Sequence, residues 1–226
     1  MAMKKKADVG GIIEIKPPNF LIAEFEIIGT APFVANKFAE EAKQQMRDAM
    51  ALGGKTKARK KAEERPPKDF QKDYEGSMHK AKDADWYGIP ATAFKAAIVR
   101  ACSHVGIEMT RAKQCLFLVQ DGFGEDGTTP LMKITHGKPE YFEAYVNNAN
   151  GSPDIRARGS WPPGWRCTLR IKYDADSFTP STIANLIVRA GISIGVGAGR
   201  PFSSHSCGMG WGTFELYDKE EAEAAE

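Results

Sequence analysis

The stretch Gly195 to Phe214, GVGAGRPFSSHSCGMGWGTF, holds two glycine triplets, Gly195/Gly197/Gly199 and Gly208/Gly210/Gly212. A polar and basic insert, Arg200 to Cys207, separates them, and Val196, Ala198, Met209 and Trp211 alternate with the glycines. Absent β-carbons permit positive φ and let a second backbone approach closely. Two roles fit this composition. One is a glycine-rich hairpin that serves tight packing alone. The other is a phosphate cradle, in which main-chain N–H groups beside Gly197, Gly199, Arg200, Ser203 and Ser204 receive a phosphodiester.

Downstream, 212–217 reads as a short strand with Phe214 and Leu216 facing inward. Upstream, 179–190 carries strong helix signals. Thr179 suits the N-cap, Pro180 the first turn and Gly191 the C′ position. Ile183, Leu186, Ile187 and Ala190 repeat at helical spacing. The clearest strand precedes it, 166–173. Cys167, Leu169, Ile171 and Tyr173 make one face, and Arg166, Thr168, Arg170 and Lys172 the other. A sheet covered on both sides would not carry that polar row. One face therefore packs on helices, and the other is open and positive, facing either solvent or a ligand.

The first half supplies matching pieces. Leu21–Ile28 reads as a strand, with Leu21, Ala23, Phe25 and Ile27 on one side. Residues 88–105 restart with Pro90 and place Phe94, Ala97, Ile98, Ala101, Cys102 and Val105 on one helical face. Lys95 and Arg100 lie off that face, and Gly106 is the expected stop. Gln114–Val119 reads as the next strand. The order β-α-β-β-α-β predicts an α+β chain with a ferredoxin-like (RRM-like) core, both helices on one sheet face.

Two insertions decorate this core. Residues 121–164 hold short strands at 131–136 and 140–147, then a loop-rich run through Gly164. DGFGEDG (121–127) lacks the acidic ligand spacing of a calcium loop and reads as a hairpin turn. Residues 37–85 open with a helix over Phe38–Met50, ended by Gly53-Gly54. Lys55, Lys57, Arg59, Lys60, Lys61 and Arg65 then crowd together with few large apolar residues, so the run buries little of itself. It reads as a projecting arm. Either it is a solvated loop, or it closes over nucleic acid with Phe70, Tyr74, Trp86 and Tyr87 available for stacking.

Whole-chain composition gives bounds rather than a function. The 226 residues are 42% hydrophobic and 27% charged, with net charge +2, so the basic signal is local. No run of about 18 apolar residues predicts a membrane span. MAMKKKADVGG lacks the apolar core of a secretory signal. Cys102, Cys115, Cys167 and Cys207 form no C-x-x-C pair, so free thiols, no metal, no cofactor and a cytoplasmic setting are expected. Neither a P-loop nor a dinucleotide fingerprint is present.

The core resembles the RAMP superfamily of CRISPR-associated proteins. Those proteins carry Gly-apolar-Gly, a variable gap, then Gly-apolar-Gly and a strand; Gly195-Val196-Gly197 and Gly208-Met209-Gly210 match. GIPATAFKAAIVRAC (88–102) is similar to the first-helix segment of backbone-type members, with Pro90, Thr92, Lys95 and Arg100 as counterparts and alanines replacing the usual glycines. The resemblance covers about 20–30, 88–120 and 165–217. It implies one decorated domain over 1–226, with arm 37–85, middle insertion 121–164 and a flexible acidic tail 218–226. It further implies a non-enzymatic subunit that binds guide-like RNA or single-stranded DNA and assembles head to tail with copies of itself and other effector subunits. Phosphates would meet Arg166, Arg170 and Lys172, with Lys95 and Arg100 adding contacts. A RAMP-type endoribonuclease using His205 is the first alternative; His79, His104 and His136 are the other histidines. A mobile-element protein that coats single-stranded DNA or captures a host defence complex is the second.

Overall fold

The computed structural model describes residues 17–38, 40–51, 68–147, 151–203 and 208–218. The chain begins with strand β1 (Phe20–Gly29), strand β2 (Phe33–Val34), helix α1 (Glu40–Ala51) and helix α2 (Phe70–Gly76). Strands β3 (His79–Lys80) and β4 (Tyr87–Pro90) lead into helix α3 (Ala91–Cys102). Helix α4 (Met109–Cys115) runs directly into β5 (Leu116–Val119). Then come β6 (Gly122–Phe123), β7 (Pro130–His136), β8 (Glu140–Asn147) and β9 (Pro153–Trp161). Strand β10 (Arg166–Asp174), helix α5 (Pro180–Ser193) and strand β11 (Phe214–Leu216) complete it. The protein is α+β.

Strand β10 is the spine of the main sheet. Its alternation holds as expected: Cys167, Leu169, Ile171 and Tyr173 are buried, while the residues between them are not. Pairing to β1 is antiparallel over its whole length, Phe20 opposite Asp174 through Ile28 opposite Arg166. Beyond β1 lies β11, also antiparallel. On its other side β10 is shared. Arg170 to Tyr173 pair with β5, and Arg166 and Cys167 pair with β7. The sheet then continues through β7 to β4 and β3. Helices α3 and α5 pack together with Ile27, Cys167, Leu169 and Ile171 in one core.

Helix boundaries follow local chemistry, with two corrections. Thr179 caps α5 by accepting a hydrogen bond from the Thr182 N–H at 3.2 Å, and Pro180 occupies the first turn. The expected stop at Gly191 fails, because α5 runs on to Ser193. Gly191 is instead a packing residue: a β-carbon there would overlap the Phe214 carbonyl of β11. Gln114 and Cys115, expected in a strand, form the last turn of α4. Helix α3 ends as expected, through a short 3-10 turn to Gly106 at φ 72°.

The second sheet has the order β2-β9-β8. Residues 153–161, expected in a loop, are strand β9, paired with β8 from Glu140–Ser160 to Asn147–Pro153. Its other edge takes Phe33 and Val34 from far back in the chain. The middle segment is also no mere appendage, since β7 lies inside the main sheet.

Residues 68–85 of the arm do not project. Helix α2 lies on β9. The Ser77 hydroxyl accepts from the Gly159 N–H at 2.9 Å, Lys68 pairs with Asp154, and the Tyr74 ring meets Tyr141 at 5.5 Å. This stretch lacks a core of its own, and β8 and β9 supply one. The lysine run from Lys55 to Lys61, Gly53-Gly54, a suggested edge strand at 11–15 and 219–226 of the acidic tail lie outside the described residues.

Candidate nucleic-acid interface

The sheet face away from α3 and α5 follows from register. Residues directly opposite each other share a face, so Ile22, Glu24, Glu26 and Ile28 of β1 accompany Lys172, Arg170, Thr168 and Arg166 of β10. Phe117 and Val119 of β5 join beside Lys172 and Arg170. The face is therefore mixed in charge and not uniformly positive, because β1 sets Glu24 and Glu26 against the basic row.

The basic side chains divide into two groups. Arg170 makes an ion pair with Asp121, whose carboxylate also accepts the Lys133 N–H at 2.7 Å. Arg170 thus ties the β6 turn to the sheet. The other four lie over aromatic rings. The Lys95 ammonium is 4.6 Å from the Phe117 ring centre, and that of Lys172 is 5.1 Å from the Phe20 centre. The Arg100 guanidinium is 4.5 Å from Phe202, and that of Arg166 is 3.9 Å from Tyr217. Among the described residues, none of these four has a carboxylate within salt-bridge distance. The Nε atoms of Arg100 and Arg166 are buried with no hydrogen-bond partner among the described residues.

Phe20 and Phe117 meet across β10, ring centres 6.0 Å apart and planes at 68°. They are 37% and 38% exposed, and neighbouring Ile22 is 61% exposed. Sequence reasoning took Lys95 and Lys172 but passed over both phenylalanines. The alternation of Leu116-Phe117-Leu118-Val119 held the missing signal, since it puts Phe117 opposite the two buried-side leucines.

The glycine segment is bound into the fold. All six of its triplet glycines have positive φ, between 64° and 79°. The Val196 N–H donates to the Gly212 carbonyl at 2.9 Å, Ala198 to Val34 at 2.9 Å, Met209 to Gly199 at 2.7 Å and Gly212 to Pro32 at 2.7 Å. A β-carbon on Gly197 would stand 2.6 Å from the Val34 carbonyl oxygen, and one on Gly199 would overlap the Trp211 ring. The Arg200 guanidinium donates to the Gly197 carbonyl at 3.1 Å, and the Ser203 N–H to Pro201 at 3.2 Å. Close packing accounts for this geometry, and most of the hydrogen-bonded N–H groups serve the backbone itself. Arg100, over Phe202, is the candidate cation brought to this segment. Ser204 and His205 lie outside the described residues.

Other candidates have structural partners. Trp86 covers Gly88 and Gly122, where a β-carbon would meet its ring. Tyr87 packs on Trp161 at 5.9 Å and Tyr74 on Tyr141 at 5.5 Å, so three of the four suggested stacking residues of the arm also pack within the fold. Burial, with the Lys37 charge nearby, lowers the His79 pKa to about 4, so its ring is neutral at pH 7. In the β6–β7 turn, hydrogen bonds from Thr129 and Thr128 hold the Asp126 carboxyl far below the ordinary carboxylate range. Among the described residues, no group of three or more His, Cys, Asp or Glu could hold a metal, and no helix is long and apolar enough to cross a membrane. No protein-family model matches the chain, and no curated protein matches it.

Proposed function

We propose that the protein is a non-enzymatic subunit that binds single-stranded nucleic acid, guide-like RNA in the first instance, in the manner of a RAMP-type effector backbone. One observation carries the reading. Lys95, Arg100, Arg166 and Lys172 each lie over an aromatic ring with no carboxylate partner among the described residues. Cations held beside π-faces suit a ligand with phosphates and flat bases, and phosphate contacts position a strand without reading its sequence.

The strand order β11-β1-β10-β5, antiparallel throughout, supports a ferredoxin-like core. Helix α3 lies between β1 and β5 in the chain, and α5 between β10 and β11. The two glycine triplets stand between α5 and β11, as in the superfamily. Head-to-tail assembly along the strand completes the proposal, since a heterologous contact that does not close builds a filament.

The test is size-exclusion chromatography with multi-angle scattering and the 260/280 nm absorbance ratio, on protein purified without nuclease. A large particle carrying a single strand is expected, with affinity that falls steeply as salt rises. A nucleic-acid-free monomer that binds no added single strand would sink the proposal.

A further inference from the structure

We propose that Phe20 and Phe117, with the ammonium groups of Lys95 and Lys172, form a nucleotide-stacking site on the β1–β10–β5 end of the open sheet face. One unpaired base lies against the two rings, and its flanking phosphates meet the two lysines. The inference rests on the nucleic-acid reading above and adds where, and by which chemistry, the strand is gripped.

The two phenylalanines come from strands on opposite sides of β10 and still meet, at 6.0 Å between ring centres. Both rings nevertheless keep more than a third of their surface exposed. Exposed Ile22, on the same face, extends the apolar ground. A base has a π-face whatever its identity, so a ring platform takes it without sequence preference.

The lysines set the chemical class of ligand. Lys37, Lys43, Lys68 and Lys80 all stand in ion pairs with acids of this chain. Lys95 and Lys172 have no such partner among the described residues, and each is held over one ring of the pair. An apolar ligand would leave two ammonium groups idle, and an acidic peptide would leave the rings idle. A nucleotide uses both.

The neighbouring acids set the path. Glu24 and Glu26 of β1 lie one and two rows from Lys172 on this same face. A polyanion crossing β1 there would meet like charge. The sugar–phosphate chain therefore runs from Lys172 on β10 towards β5 and Lys95, away from β1. A duplex cannot present a base face to this platform, so the ligand is single-stranded.

Fluorescence anisotropy with a labelled oligouridylate of about 20 nucleotides tests the site. Phe20→Leu and Phe117→Leu keep apolar bulk and remove the ring. Each is expected to weaken binding at least about five-fold, the scale of one lost stacking contact. The slope of log affinity against log salt should stay unchanged in both, because no cation is lost. Lys95→Gln and Lys172→Gln should each reduce that slope by roughly 0.7, one phosphate contact. A backbone of the same length without bases should bind the wild type more weakly than oligouridylate. Wild-type affinity in both leucine variants, or equal binding of the base-free strand, would overturn the stacking site while leaving nucleic-acid binding intact. Failure of the wild type to bind any single strand would overturn both proposals. Matching far-ultraviolet circular dichroism of the leucine variants and wild type separates lost contact from lost fold.

Discussion

The glycine-rich connection between α5 and β11 and the β1–β10–β5 end of the open face handle their polar groups in opposite ways. In the connection, N–H groups turn inward and meet the carbonyls of Gly199, Gly212, Val34 and Pro32. At the sheet end, two lysines stand over exposed rings without acidic partners among the described residues. The segment with the more conspicuous sequence is packed into the fold. The proposed binding chemistry gathers where three strands bring together residues that are unremarkable singly. A glycine run reports the need for close approach, and the neighbouring backbone decides whether a ligand or the protein itself makes that approach.

The sharpest way to break this contrast is Gly212→Ala. Its φ of 64° is unfavourable for alanine, and the new methyl would overlap the Val196 carbonyl. We expect a loss of about 3 kcal/mol or more in urea denaturation, combining backbone strain with a clash that only a backbone shift relieves. A loss below about 1 kcal/mol would show that the connection is not the packed element described.

A smaller effect separates cations on the open face itself. Arg170→Ala leaves the part-buried Asp121 without its cation, and about 1–2 kcal/mol of stability should go with it. Oligouridylate affinity should fall less in this variant than in Lys172→Gln. The reverse order would move the grip towards the middle of β10.

The smallest expected change is Gly210→Ala. Gly210 shares the positive φ of its neighbours, at 73°, but a β-carbon there meets nothing within 4 Å. Strain alone should cost about 1 kcal/mol. A loss as large as that of Gly212→Ala would mean that conformational strain, and not packing against Val196, governs the whole segment.

Much of the main sheet was legible because its period is local. The alternation of 166–173 anticipated the buried and open faces of β10, and the cap chemistry of Thr179 and Pro180 marked the start of α5. Where the reading failed, distant contacts had overridden local signals. Gly191 looks like a helix end, yet the chain needs a glycine there because β11 crosses against it. Residues 153–161 look like a loop because Pro153, Gly159 and the following prolines break the pattern, yet β2 and β8 complete a sheet around them. Residues 68–76 look unsupported because their apolar partners lie on β8 and β9.

The candidate site divides in the same way. Arg166, Arg170 and Lys172 were placed on one face by period alone, and Lys95 and Arg100 were kept off the apolar face of α3 by helical spacing. Alternation along a strand fixes which way a side chain points, and capping groups fix where a helix begins. Both depend on neighbours a few residues away. Only the tertiary structure decided that Arg170 belongs to Asp121 and that Glu24 and Glu26 temper the basic row. It also decided that Lys95 and Lys172 converge on Phe117 and Phe20, because pairing among β1, β10 and β5 joins residues far apart in the chain.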